Sequence, residues 1–170
     1  MIPQLKQIKK ILYSTDLSKN SAYAFLYATD LARGHDARIV ILHAIEPIPP
    51  KAELYVGMTD EDRRKQQEEA IEEIKKRLRW FCKKAEDQIG PPCAELVSKI
   101  LVLRGHPPEE ILNAANEEDC DLIVLGTHGK GFLAHTFLGS VSSAVLQRTR
   151  KPVFIIPLPS EKLTIEWDRI

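Results

Sequence analysis

Five short apolar runs, separated by helical or loop-like segments, constrain the fold of this chain more than any other feature. A run that is apolar almost throughout is typical of a strand covered on both faces, as in a parallel sheet between two helix layers. The clearest case is residues 38–45, RIVILHAI. The other four runs are residues 9–13, 99–103, 121–126 and 153–157.

The segments between these runs carry the spacing and end signals of helices. Ser18 is a typical N-cap, apolar residues recur after it at three- and four-residue steps, and Gly34 supplies a C-terminal stop. Three more helices are expected: a long, charged, amphipathic one with Asp60 as its cap, a short one that opens at Pro107, and one over about 139–150.

This alternation of strands and helices predicts an α/β fold. Crossover connections between parallel strands are right-handed and place helices on both faces of the sheet. We therefore expect a doubly wound five-stranded parallel sheet in the order 3-2-1-4-5. In that order the connections leaving strands one and four diverge to opposite faces, so a crevice opens at the carboxyl ends of those strands, where a ligand should bind.

Charge balance, cysteines and the N-terminal segment limit the functional classes. Lys plus Arg and Asp plus Glu both total 24, so the chain lacks the basic field of a nucleic-acid-binding protein. The odd set of Cys82, Cys93 and Cys120 has no C-x-x-C spacing and indicates neither a disulfide framework nor a zinc knuckle. The first residues resemble neither a signal peptide nor a membrane span, so we expect a cytoplasmic protein that binds no membrane.

The segment from Gly126 to Ser143 follows strand four and ends inside the last helix, so it should border the crevice. Gly126 and Gly129 allow the backbone to curl and present N–H groups to an anion, and Gly139-Ser140 offers the amides of a helix N-terminus. These are phosphate-binding features. A flexible turn before a capped helix would explain the glycines alone equally well.

Asp16 and Ser18 follow strand one and therefore face the glycine segment across the expected crevice. A carboxylate at this place can hold the hydroxyls of a ribose. Either residue could instead cap the first helix, an interpretation that we favour for Ser18 and not for Asp16.

The histidines do not define a metal site. We interpret His43, on strand two, as a core histidine bonded to backbone. His106, His128 and His135 fall in or beside loops at the crevice, but no carboxylate or cysteine spacing completes a ligand set. We assign no catalytic residue and no protein-held metal.

The glycine segment resembles a known signature. Gly126-x-x-Gly129, nine residues and then Gly139-Ser140 is similar to the G-2x-G-9x-G-S/T pattern of ATP-binding universal stress proteins. The likeness extends in order and separation through ILYSTDLS, VILHAIEP, the GHP turn and DLIVLGTHG. The resemblance therefore implies a nucleotide-binding domain over residues 9–158, flanked by an extension (1–8) and a tail (159–170).

The resemblance also implies ATP as the ligand, with Mg²⁺ on its phosphates. Asp16 would contact the ribose, the backbone of Ala44 would contact the adenine, and the remaining residues would surround the phosphates. The predicted binding residues are Asp16, Ala44, Gly126, Thr127, Gly129, Lys130, Gly139, Ser140 and Ser142.

Three functions compete. We favour a nucleotide-dependent stress-response or signalling module, because the sequence shows no recognisable arginine finger or base for an attacking water. A slow ATPase or adenylating enzyme of the same architecture is the second, although STDLS lacks a glycine-rich phosphate loop and no H-x-G-H element occurs. The third is a dimeric scaffold without nucleotide.

Strand five predicts a homodimer, because an apolar strand at the edge of a sheet invites pairing. The family resemblance agrees. Pro152 and Pro157 lack N–H donors and confine this pairing to the few residues between them. Ile165 and Trp167, in the tail, are candidates for contact with a neighbour.

Overall fold

The protein forms one parallel sheet of five strands. We describe it from a computed structural model, which covers residues 6–47, 59–90, 93–127 and 138–157. The strands are paired in the order β3-β2-β1-β4-β5, so the predicted fold class and strand order are confirmed. Their bounds are β1 (Lys10–Ser14), β2 (Arg38–Ile45), β3 (Val97–Arg104), β4 (Leu122–Gly126) and β5 (Val153–Ile156).

Helices connect the strands, and one of them was not predicted. The helices in the described ranges are α1 (Lys19–His35), α2 (Asp60–Ile89), α3 (Cys93–Leu96), α4 (Pro107–Glu117) and α5 (Ser140–Arg148). The unpredicted helix, α3, has only four residues. Such a segment is too short to show a helical hydrophobic period.

The sheet separates two hydrophobic cores because alternate residues of each strand point to opposite faces. On one face, Ile11 and Tyr13 pack with Phe25 of α1 and Leu78 of α2. On the other face, Leu12 packs with residues of α4 and α5. Helices therefore cover both faces, as predicted.

The start of α1 was predicted correctly and its end was not. Ser18 is the N-cap, and its hydroxyl accepts a hydrogen bond from the amide of Ser21. Gly34 lies inside the helix, which continues to His35 and ends at Asp36 in the left-handed region, with φ 50°. Asp tolerates this conformation better than most residues, so it can replace glycine at a helix end.

The N-cap of helix α2 lies one residue earlier than predicted, and the helix contributes buried side chains to the core only in its second half. Thr59, not Asp60, is the N-cap, and it exchanges hydrogen bonds with Asp62 in a capping box. Among the described side chains from Asp60 to Arg77 none is buried, and burial begins only at Leu78. Among the described residues, none of the helices combines the length and the apolarity that crossing a bilayer requires.

Candidate functional site

A cavity of about 580 Å³ opens at the carboxyl ends of β1 and β4, where the strand order predicted a crevice. Its volume is within the range of small-molecule sites. The described lining residues are Ser14, Thr15, Asp16, Ser21, His43, Ala44, Ile45, Glu46, Pro107, Ile111, Leu125, Gly126, Gly139, Ser140, Val141 and Ser142.

The turn after β1 holds Asp16 at the cavity wall. One carboxylate oxygen of Asp16 accepts hydrogen bonds from the amide of Ser18 at 3.0 Å and from its hydroxyl at 2.5 Å. The next residue, Leu17, has a φ of 64°. A bulky non-glycine residue rarely adopts this conformation, and such strain concentrates at functional sites.

The side chain of Thr15 stabilises the same turn through two hydrogen bonds. Its hydroxyl lies 2.8 Å from that of Ser21 and accepts a hydrogen bond from the amide of Leu17 at 3.0 Å. The phenol of Tyr13 donates to the carbonyl of Ser21 at 2.5 Å, and burial raises the pKa of this phenol, so it stays protonated. Sequence reasoning missed Thr15 and Ser21 as cavity residues.

His43 is bonded to backbone, as predicted, but it also lines the cavity. Its Nδ1 lies 2.8 Å from the carbonyl oxygen of Thr15. A carbonyl oxygen only accepts hydrogen bonds, so Nδ1 carries the hydrogen. His43 is half-buried and connects β2 to the turn that carries Asp16.

The backbone of Ala44 faces the cavity. Successive residues of a strand direct their N–H and C=O groups to alternate sides. The carbonyl of Ile45 accepts from Gly105 on the β3 side, and the carbonyl of Leu42 accepts from Thr15 on the β1 side. Ala44 has the same parity as Leu42 and lies beyond Ser14, the last residue of β1. Its amide and carbonyl therefore point into the crevice.

The far wall consists of the end of β4 and the start of α5. Gly139 is the N-cap of α5, with no side-chain cap bond, and its own amide donates to the carbonyl of Thr127 at 2.7 Å. The buried hydroxyl of Ser142 donates to the carbonyl of Gly126 at 2.8 Å. These bonds tie the first turn of α5 to the end of β4.

Most of the predicted site residues that the structure describes meet in this one cavity. They are Asp16, Ala44, Gly126, Gly139, Ser140 and Ser142. Thr127 lies beside the cavity lining, and its amide donates to the carbonyl of Ile156 at 2.9 Å. Gly129 and Lys130 fall outside the described residues, as do His128 and His135.

The charges of the described wall are negative. Asp16 and Glu46 line the cavity, and no lysine or arginine is among the lining residues of the described ranges. In the same ranges no group of three or more His, Cys, Asp or Glu side chains could hold a metal ion. His106 lies at the N-cap of α4, where it is exposed and makes no side-chain cap bond.

The fold and this site define a doubly wound α/β protein with a ligand cavity at the point where the strand order reverses. A family model described as the universal stress protein family matches residues 7–157. The chain belongs to that family, as its sequence signature indicated.

Two relatives show how far the similarity extends. A universal stress protein of Thermus aquaticus, in the QAH/OAS sulfhydrylase 3′ region, is 34% identical over 148 residues, which cover 87% of this chain and 98% of that protein. Universal stress protein MJ0577 of Methanocaldococcus jannaschii is 30% identical over 154 residues, which cover 87% of this chain and 94% of that protein.

Solved structures agree with the described fold. The structure of MJ0577 has a TM-score of 0.71 at 27% identity and covers 92% of this chain and 100% of its own. The universal stress protein from Archaeoglobus fulgidus in complex with dAMP has a TM-score of 0.54 at 22% identity, over 87% of this chain and 96% of its own. At that identity the second likeness concerns the fold alone.

Proposed function

We propose that this protein binds ATP in the crevice and acts in the cytoplasm as a nucleotide-dependent module of stress response or signalling. The observation that carries the proposal is the convergence of three kinds of group on one cavity: the carboxylate of Asp16, the backbone of Ala44 and the helix start at Gly139-Ser140. A nucleotide has a sugar, a base and phosphates that match these groups in turn.

The N-terminus of α5 suits the phosphates. The first amides of a helix have no acceptor within the helix, and Gly139 has no side chain to accept their hydrogens. The N-terminal end of a helix also carries partial positive charge, which favours an anion. Gly126, Gly129, Thr127 and Lys130 would complete the phosphate site. Ser142 would position this site as well as border it, because its hydroxyl donates a hydrogen bond to the carbonyl of Gly126.

The opposite end of the cavity suits the nucleoside. The amide and carbonyl of Ala44 offer one donor and one acceptor, the complement of the acceptor and donor on the Watson–Crick edge of adenine. The carboxylate of Asp16 can accept hydrogen bonds from two ribose hydroxyls while it keeps its bond to Ser18. Base and sugar would thus be held from β2 and β1.

Magnesium would enter with the nucleotide. The described wall holds two carboxylates and no lysine or arginine, which is unfavourable for a bare triphosphate. Mg²⁺ is commonly held by substrate phosphates and waters rather than by a protein cage, so it would arrive on the triphosphate and need no ligand from the protein. When bound, the ion would neutralise phosphate charge.

The adenine nucleotide in the Archaeoglobus fulgidus complex belongs to a protein with the same fold and 22% identity. That likeness is consistent with our proposal but does not carry it. The proposal depends on the residues that line the cavity of this chain.

Nucleotide content and affinity test the proposal. We expect ATP to be released when the purified protein is denatured, and we expect calorimetry to show ATP·Mg²⁺ binding that EDTA weakens. A turnover assay with Mg²⁺ then separates a binding module from a slow ATPase or an adenylating enzyme. If no nucleotide is released and millimolar ATP·Mg²⁺ produces no binding heat, the ATP-binding function is wrong.

We also propose that the protein is a homodimer joined through β5. This strand lies at the edge of the sheet, and its Phe154 side chain is 40% exposed. An exposed apolar residue on an unpaired edge favours association. Light scattering at micromolar concentration should give twice the chain mass, and a monomer there would contradict this part of the proposal. Phe154→Lys should shift the equilibrium to monomers.

A further inference from the structure

The ladder of backbone hydrogen bonds between β1 and β2 ends abruptly at the cavity. Amides of β2 donate to carbonyls of β1, as from Arg38 to Lys9. Amides of β1 donate in turn to carbonyls of β2, as from Thr15 to Leu42. The register is continuous, so the next bond of a regular parallel ladder would run from the amide of Ala44 to the carbonyl of Thr15. Both residues lie in the described ranges, and no such bond joins them.

The side chain of His43 takes the place of the missing donor. Its Nδ1 donates to the carbonyl oxygen of Thr15 at 2.8 Å, so this acceptor needs no second partner. Thr15 is buried, and a buried carbonyl without any donor would cost free energy. The imidazole therefore ends the ladder without leaving its last acceptor unpaired.

The amide that stays outside the ladder is the one that faces the cavity. Within the part of the chain that the structure describes, the N–H of Ala44 has no acceptor. Ala44, His43 and Thr15 all line the cavity, so this N–H borders space that a ligand can occupy. If the ladder continued by one more bond, the same N–H would be used inside the sheet.

We propose that His43 is a positioning residue for base recognition: by holding the carbonyl of Thr15, it keeps the N–H of Ala44 available to a ligand. The inference rests on the proposed binding of ATP and explains how one of its contacts is prepared. The ligand atom that accepts this hydrogen would be N1 of adenine. His43 acts through Ala44 and Thr15 in this role and requires no contact of its own with the nucleotide.

Removal of the imidazole donor should extend the ladder. In His43→Leu no side chain at this position can donate to the carbonyl of Thr15, and the N–H of Ala44 is the backbone donor placed to replace it. That N–H would then be hydrogen-bonded in the sheet and lost to a ligand. In His43→Asn the side-chain amide can occupy the place of Nδ1, so the wild-type arrangement should be kept.

Hydrogen exchange of the Ala44 amide, measured by NMR on protein stripped of nucleotide, tests this change directly. The protection factor should rise about tenfold or more in His43→Leu and stay unchanged in His43→Asn. Loss of a merely structural contact would instead leave the amide equally or less protected. His43→Val also lacks a donor and suits a strand, so it serves as the second variant if the leucine variant does not fold.

An ATP analogue without the N1 acceptor provides an independent measurement. In 1-deaza-ATP a C–H group replaces N1, so the wild type should bind it about tenfold more weakly than ATP. His43→Leu should bind the two ligands with nearly equal affinity, because the N–H of Ala44 no longer serves the base. His43→Asn should keep the wild-type ratio. A general loss of stability would weaken the binding of both ligands alike and leave the ratio unchanged.

The two measurements separate failure of this inference from failure of the nucleotide proposal. Unchanged or lower protection of Ala44 in the variants that lack a donor would show that His43 does not end the ladder. A wild-type ratio of affinities in His43→Leu would show that this residue does not prepare the contact with the base. If the wild type bound neither ligand, the proposed ATP binding would be wrong and the adenine contact with it. Hydrogen exchange would still decide whether His43 ends the ladder.

Discussion

At Asp16 one carboxylate oxygen accepts two hydrogen bonds from Ser18, so the side chain shapes the start of α1 while it lines the cavity. Sequence reasoning treated helix capping and ligand binding as alternatives for this residue. A carboxylate has about four acceptor sites, so one oxygen can serve the turn and the other a ligand. The two interpretations are therefore compatible.

Substitution of Asp16 separates these two tasks. Asp16→Ala should weaken ATP binding about tenfold, or about 1.4 kcal/mol, through loss of the ribose contacts. Asp16→Asn keeps an oxygen that can accept the hydrogen bonds from Ser18. Relative to Asp16→Ala, it should therefore recover more of the melting temperature than of the affinity for ATP. Asp30→Ala, an exposed position on α1, is the control. If the alanine variant lost stability and the folded fraction bound ATP normally, Asp16 would be structural only.

Asp121 anchors the start of β4 to the start of β1. Its side chain is only 8% exposed and accepts bonds from the amides of Lys9 and Lys10, at 2.9 and 3.0 Å, and from the ammonium of Lys6 at 2.6 Å. Burial alone would raise the pKa of this carboxyl. The bonds from Lys6 and the two amides outweigh burial and hold the pKa below its usual value.

Stability in acid should therefore depend on Asp121. A carboxyl with a lowered folded pKa stabilises the protein above its unfolded pKa of about 3.9, and this contribution disappears as pH falls through the folded pKa. Asp121→Asn should reduce the free energy of unfolding by about 1–3 kcal/mol at pH 7, and the difference should vanish in acid. Urea titrations from neutral pH to well below the unfolded pKa of about 3.9 measure it, with Asp119→Asn, whose side chain is 84% exposed, as control.

The end of α1 shows where sequence reasoning stops. Glycine is the usual residue for a left-handed helix end, and the sequence offers Gly34. The helix instead ends where the amide of Asp36 can donate to the carbonyls of Ala32 and Arg33, and where the next residue, Ala37, donates to the carbonyl of Ala32 and leads into β2 at Arg38. That choice depends on the position of the sheet, which local sequence does not contain.

Replacement of Gly34 tests this correction. A Cβ at Gly34 would meet nothing within 4 Å, so Gly34→Ala should stabilise the protein by about 0.5–1 kcal/mol through helix propensity. Gly90→Ala is the matched control: it also has open space, but its φ is +77°, so alanine there should destabilise. Thermal unfolding of both variants gives the comparison. Destabilisation by Gly34→Ala would contradict the described helix end.

Strands were easier to predict than the details of the site. The strand over residues 38–45 was predicted with its correct bounds. A strand that is buried on both faces has an almost entirely apolar sequence, which is easy to recognise. The bond from Ser142 to the carbonyl of Gly126 and the place of Ser21 in the wall were not predicted. Those arise when separate elements meet, and no local pattern encodes them.

Nucleotide binding should stabilise the whole domain, since the cavity joins β1, β2, β4, α4 and α5. At 100 times its dissociation constant a ligand adds about 2.7 kcal/mol to the free energy of unfolding. For a domain of this size that corresponds to a rise of about 5–10 °C in melting temperature. Thermal scans with ATP·Mg²⁺ measure it.

Gly129→Val is the control for this stabilisation. A branched side chain should prevent both the curl of the loop and the approach of phosphate, so the variant should keep its fold and lose most of the shift. An unchanged shift in the variant would mean that this loop does not bind the phosphates.

Helix α2 consists of two segments that differ in how many buried side chains they contribute to the core. From Leu78 through Ala85 it is anchored by buried side chains, whereas its preceding turns have none among the described residues. Amide hydrogens exchange with solvent through local opening where burial is low and through global unfolding where it is high. Deuterium should therefore enter the first turns of α2 quickly and the segment after Leu78 slowly, so one helix would record two separate opening energies.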